Sequence, residues 1–90
     1  MKHPAEPAQL NVVARSPFHV YYEGPAQVVS AKNKVGDFDI LPGHADFFSI
    51  LSPGDVTIDT GASGAEPVIF SINTGILTAR DNQVLLFVNM

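Results

Sequence analysis

The ten residues Gly36-Asp37-Phe38-Asp39-Ile40-Leu41-Pro42-Gly43-His44-Ala45 decide how this chain reads. Phe38 to Leu41 is a short extended run of apolar and acidic residues, entered from a glycine. Pro42 fixes its own φ and has no N–H to donate, so a strand must stop there. Gly43 can supply the positive φ that a Pro-Gly turn requires. His44 is therefore held at a rigid corner, with Asp37 at the other end of the extended segment. Such a corner suits a contact surface better than a mobile active-site loop.

The flanking sequence repeats this grammar of short strands and abrupt turns. Leu10, Val12 and Ala14 alternate with Asn11, Val13 and Arg15 until Ser16-Pro17 breaks the run. Phe18, Val20 and Tyr22 then alternate with His19, Tyr21 and Glu23, and Gly24-Pro25 is expected to end that strand. Gln27 to Ala31 is a third apolar stretch, stopped at Lys32-Asn33-Lys34. Ala45 to Leu51 is a short apolar stretch closed by Ser52-Pro53-Gly54. His44 to Leu51 is also the one candidate helix, and Pro53 limits its length. Val56 and Ile58 alternate with polar neighbours, and Thr60 to Ala65 reads as a Gly/Ser-rich hairpin tip. Val68, Phe70 and Ile72 alternate next, followed by Ile76 to Ala79 and a turn at Asp81-Asn82. Val84 to Val88 reads as a buried final strand. Turn signals at intervals of about 8–12 residues predict an all-β sandwich or barrel, in keeping with the β-branched and aromatic residues between them.

Composition narrows the function. Ninety residues make one domain, and a chain of this size buries about 60–65% of its unfolded surface. There is no cysteine, which excludes disulfides, cysteine metal sites and a cysteine nucleophile. The net charge is −4, and the five basic residues, Lys2, Arg15, Lys32, Lys34 and Arg80, are scattered. No basic stripe exists to meet a phosphate backbone, so nucleic acid is not an expected partner. The longest apolar run, Val84 to Val88, is far short of the ~20 residues that span a bilayer. Residues 1–8, with Pro4 and Pro7, read as a disordered leader before a domain over residues 9–90.

No motif points to catalysis, a cofactor or a metal. Asp59-Thr60-Gly61-Ala62-Ser63 is the sharpest distraction, because two Asp-Thr-Gly loops can share one proton between their carboxylates in an aspartic peptidase dimer. Asn73-Thr74-Gly75 even looks like a decayed second copy. The loop comes too late in the chain, however, for a flap, closing strands and a dimer strand to follow. His3, His19 and His44 lack the spacing of a metal site. Gly36, Gly43, Gly54 and Gly75 have no phosphate-loop spacing, and turns account for them. Tyr21 and Tyr22 are consecutive, as are Phe47 and Phe48, so one of each pair is expected inside and one outside.

In order and spacing, these elements resemble the N-terminal domain of the epsilon subunit of F-type ATP synthase. That family has a glycine-led strand closing on Pro-Gly-His-Ala, matched by Gly36 to Ala45. It also has a Val-Tyr-x-Gly-like element, matched by Val20-Tyr21-Tyr22-Glu23-Gly24. A later Pro-Gly turn corresponds to Pro53-Gly54, a Gly-Gly segment to Thr74-Gly75-Ile76-Leu77-Thr78-Ala79, and a closing Asn-x-Val strand to Asn82-Gln83-Val84. The likeness covers Leu10 to Val88. The sequence departs from the family pattern at Asp39, Asp46 and Thr74.

The resemblance implies a flattened two-sheet antiparallel β-sandwich at the foot of the central stalk. There it would dock on the gamma subunit and on the c-ring, on the cytoplasmic side of a bacterial membrane, touching the membrane only through the complex. It would perform no chemistry and help couple proton flow to ATP synthesis by being stiff. Lys34, Val35, Gly36, Asp37 and His44 match the c-ring contact, with Pro42 and Gly43 as the structural turn. The C-terminal helical hairpin usual in the family has no counterpart in these ninety residues, so its regulatory inhibition and ATP binding are not carried over. The departures favour, as an alternative, an epsilon-like sandwich serving as a protein-binding module in another assembly.

Overall fold

The computed structural model describes residues 9–90; the leader expected over residues 1–8 lies outside the described residues. Nine strands follow one another with no helix among the described residues. They are β1 (Leu10–Arg15), β2 (Val20–Ala26), β3 (Val28–Asn33), β4 (Gly36–Ile40), β5 (Phe47–Leu51), β6 (Gly54–Asp59), β7 (Val68–Ile72), β8 (Thr74–Arg80) and β9 (Gln83–Asn89). The candidate helix over His44 to Leu51 is therefore strand β5. Its phenylalanines and β-branched Ile50 favour a pleated surface over a short helix.

A five-stranded sheet in the order β2-β1-β9-β8-β5 packs on a four-stranded sheet in the order β4-β3-β6-β7. This is the expected sandwich. All its ladders are antiparallel except one: β1 and β9 run parallel, with Val12 opposite Val84. After β2 the chain crosses to the second sheet and returns, and that long excursion lets the last strand enter beside the first in the same direction.

The core is built from alternate residues of each strand. Leu10, Val12 and Ala14 of β1 face Val29, Val56 and Ile58 of the second sheet, and Leu77, Leu86 and Val88 fill the centre; all are sealed from solvent. Each open side of the sandwich is closed by aromatic rings. Tyr21 stacks on Phe70 with ring centroids 5.2 Å apart, and Phe38 meets Phe47 at 5.3 Å.

Three local expectations are corrected. Strand β2 does not end at Gly24-Pro25 but runs through both to Ala26, pairing Asn11 with Pro25. It is an edge strand, where a missing N–H costs no ladder bond. Phe18 is not in the strand at all; it lies in the β1–β2 turn and is 98% exposed. Tyr21 and Tyr22 do not divide between inside and outside, since both are half-buried against the core. The register shifts between Ala14 and Arg15, leaving Tyr21 as the extra residue of a bulge, and a bulge re-aims the side chain it carries. Phe47 and Phe48 do divide as expected: Phe47 is half-buried and Phe48 is 62% exposed.

Candidate docking surfaces

The Pro-Gly corner forms as its sequence dictates. The His44 N–H donates to the Leu41 carbonyl at 3.1 Å across Pro42-Gly43, and Gly43 has φ +84°. The Gly43 N–H donates to Asn82 Oδ1 at 2.8 Å, which ties the corner to the β8–β9 hairpin. That hairpin turns on Asp81 and Asn82, both at positive φ, the geometry a two-residue hairpin favours. The exposed ring of His44 has Nδ1 2.7 Å from the Ala45 carbonyl and stands edge-on to Phe47 at 5.4 Å. Asp46 follows and meets Arg80 at 3.9 Å on the surface.

The β3–β4 tip is organised by a residue the sequence did not single out. Asn33 Oδ1 accepts the N–H groups of Val35 at 2.9 Å and Gly36 at 3.3 Å. Its Nδ2 donates to Ser49 Oγ at 3.0 Å, anchoring the tip to β5. Lys34 and Val35 are thereby presented outward, and Val35 is 96% exposed. Asp37 lies exposed on the outer face opposite Lys32. Beside this tip lie Ser52, Pro53 and the β7–β8 turn at Asn73, sharing one shallow hollow.

The five expected contact residues are consequently not one cluster. Gly36 opens β4 at the end where Asn33 closes β3, whereas Ile40 leaves β4 at the end where Val29 lies. The Pro-Gly corner sits with the Asp81-Asn82 hairpin, and the Lys34–Val35 tip sits with Asn73 and Thr74. Strand β8 spans Thr74 to Arg80 between those two ends, a distance of about 20 Å at the usual strand rise. Lys34, Val35, Gly36 and Asp37 share one end of the sandwich; His44, Pro42 and Gly43 share the other.

The outer faces of the two sheets differ sharply. The four-stranded sheet is polar outside: Ser30 Oγ donates to Asp39 Oδ1 at 2.7 Å, and Ser71 Oγ donates to Asp55 Oδ1 at 2.6 Å. The five-stranded sheet carries an apolar band. Phe87 lies opposite Ile76, which lies opposite Ile50. In the next row Val13 lies opposite Leu85, and Phe48 ends the row beside Thr78. Ile50 is 65% exposed, and Phe48, Ile76, Leu85 and Phe87 are also open to solvent. The expected buried strand Val84 to Val88 is thus buried on one face only, because no layer among the described residues covers the outside of its sheet. The band is bordered by Arg15 of β1 opposite Phe87 and interrupted by Thr78, yet it groups exposed apolar residues of three neighbouring strands on one face, which makes that face a candidate docking surface. The signal in sequence was apolar residues at both parities of β5 and β9 in a sheet with one open face.

Asp59 Oδ1 accepts the Gly61 N–H at 2.9 Å, and the Asp-Thr-Gly segment opens the connection between the paired strands β6 and β7, as the hairpin reading expects. Among the described residues no group of three or more His, Asp or Glu side chains is placed to hold a metal. Among the same residues no helix is long and apolar enough to cross a membrane.

These features define a class: an all-β sandwich of two sheets with an apolar outer face on one sheet and an ordered turn cluster at each end. Comparison with known sequences makes the assignment specific. The family described as ATP synthase, Delta/Epsilon chain, beta-sandwich domain matches residues 8–90, and the chain belongs to that family. The ATP synthase epsilon chain of Streptomyces avermitilis is 32% identical over 79 residues, covering 88% of this chain and 62% of that one. The corresponding chain of Thioalkalivibrio sulfidiphilus is 38% identical over 63 residues, covering 70% of this chain and 44% of that one. The chain thus spans less than two thirds of the length of these curated relatives. Among solved structures, a chain of the Euglena gracilis mitochondrial ATP synthase superposes with a TM-score of 0.82 at 18% identity, covering 99% of this chain and 56% of that one. A chain of the Tetrahymena thermophila mitochondrial ATP synthase central stalk and c-ring gives 0.76 at 19% identity, covering 90% and 63%. At those identities the superpositions show a shared fold.

Proposed function

We propose that this sandwich is a non-catalytic component of the central stalk of an F-type ATP synthase, docking on the gamma subunit and the c-ring. The observation that carries the reading is the apolar band of the five-stranded sheet. A partner that covers Phe87, Ile76 and Ile50 removes apolar area worth roughly 25 cal/mol per Å², and no segment among the described residues does so. We assign that band to gamma. The turn cluster at Lys34, Val35, Gly36 and Asp37 is assigned to the polar loops of the c-ring. His44 belongs to the opposite end and leaves the c-ring set. Charged rim contacts such as Lys34 and Asp37 set register and approach more than affinity.

Family membership supports this reading, as do structural neighbours that come from ATP synthase complexes holding a c-ring. A peripheral position on the cytoplasmic side of the membrane follows from it. The direct test is capture of purified gamma by the chain and by its Phe87→Lys variant. Loss of gamma binding in a variant that still melts cooperatively supports the assignment. Retained binding removes gamma from the band.

A further inference from the structure

We propose that Phe18, on the β1–β2 loop, is an anchor residue for gamma, seated in an apolar pocket of that subunit at the end of the apolar band; the inference rests on the assignment of the band to gamma. Phe18 is 98% exposed, and among the described residues only Val35 comes near it, at 96%. Val35 belongs to the tip assigned to the c-ring. Phe18 does not share that tip. Asn33 ties the tip to β5 at one edge of the five-stranded sheet, whereas Phe18 joins β1 to β2 at the other edge, with β9 and β8 between.

The loop that carries the ring is ordered. Pro17 fixes its own φ. The Ser16 N–H donates to the His19 carbonyl at 2.8 Å and closes the loop. Arg15 reaches back over it, with Nε donating to the Ser16 carbonyl at 3.1 Å and Nη2 to the Pro17 carbonyl at 3.4 Å. An apolar ring on a loop that is already ordered costs little further backbone entropy to dock, and large aromatic side chains are the commonest anchors of protein interfaces.

The register decides which partner the ring meets. Arg15 lies opposite Phe87, so the chain leaves β1 at the end of the band, and Pro17 lines a groove there with Phe87, Ile76 and Ile50. Thr74 and Asn89, paired two residues along from Ile76 and Phe87, line its other side. The groove thus has an apolar wall and a hydrogen-bonding wall, which fits an amphipathic segment of the partner. A body that covers the band and fills this groove reaches Pro17, and Phe18 is the next residue.

Calorimetric titration of purified gamma with the chain and its Phe18→Ser variant tests this. The variant is expected to bind gamma about tenfold or more weakly. Its melting midpoint is expected to match the parent, because the ring it removes lies outside the core. A photo-reactive group placed at Phe18 in the assembled synthase is expected to capture gamma. Parent-like affinity in Phe18→Ser overturns the proposal, as does an adduct from Phe18 with the c subunit or with lipid. Phe87→Lys separates this inference from the reading beneath it. Gamma binding that survives Phe87→Lys removes gamma from the band altogether. Binding lost in Phe87→Lys but kept in Phe18→Ser removes only the anchor.

Discussion

Replacing Gly43 isolates backbone strain from packing. A Cβ built there meets nothing within 4 Å, yet the residue sits at φ +84°. Gly43→Ala therefore adds no clash and only forces an L side chain into the left-handed region, at roughly 1–2 kcal/mol. A stiffer unfolded chain returns about 0.4–1 kcal/mol of that. The net loss is about 1 kcal/mol, or roughly 4–8 °C in melting midpoint for a domain of this size. Gly43→Asn should lose much less, because asparagine tolerates this conformation. Gly75 supplies the opposite control. Its backbone lies outside the left-handed range, but a Cβ there would sit 3.0 Å from the Phe87 carbonyl oxygen and 3.1 Å from Val88 Cγ1. Gly75→Ala should cost about 1–3 kcal/mol through overpacking, and Gly75→Asn should be worse, not better. Urea unfolding of all four variants with unchanged m-values reads these differences. The reasoning fails if Gly43→Ala melts with the parent, or if Gly43→Asn loses as much as Gly43→Ala.

Further outcomes follow from the same geometry. Asn33→Ala removes the acceptor for two tip amides and the donor to Ser49, so it should cost about 1–3 kcal/mol and speed hydrogen exchange at Val35 and Gly36; unchanged exchange would remove Asn33 from the tip. Asn82→Ala loses the bond to Gly43 and strains a residue at φ 62°, whereas Asn82→Gly loses only the bond, so calorimetry should rank alanine as the less stable. Asp37→Lys should leave stability within about 0.5 kcal/mol, as for most exposed substitutions, while lowering proton-coupled ATP synthesis in reconstituted vesicles; full coupling would count against the c-ring assignment. Asp59→Asn keeps an acceptor for the Gly61 N–H and should change neither fold nor stalk binding. A pepstatin-sensitive proteolysis lost in that variant would reopen the peptidase reading.

Much of this architecture was legible because turns announce themselves chemically. Pro42-Gly43 and Asp81-Asn82 each mark a turn that the structure contains, whereas Pro53-Gly54, expected as a turn, is the passage from β5 into β6 of the other sheet, with Gly54 already in the strand; alternation put Leu10, Val12 and Ala14 on one face, which the structure buries. Alternation says which residues share a face, however, and not whether a face is covered. That is why Leu85 and Phe87 read as buried within Val84 to Val88. Pro25 reads as a terminator unless the strand is known to lie at an edge, and edge position depends on long-range pairing. The consecutive tyrosines were misread because a bulge breaks the two-residue period that the inference used. The division of the contact residues between two ends was half visible, since Asp37 and His44 bracket one extended strand. What the sequence lacked was the register that places Gly43 beside Asn82 and Val35 beside Thr74. Asn33 escaped notice because its role is a set of hydrogen bonds, for which a lone asparagine before a turn is a weak signal.

The stalk assignment is tested most directly by site-specific photo-crosslinking in the assembled synthase, with the reactive group placed at Val35 in one sample and at Phe87 in another. Adducts with the c subunit from Val35 and with gamma from Phe87 are the expected result. Both probes capturing the same neighbour, or neither capturing a rotor subunit, would contradict the account.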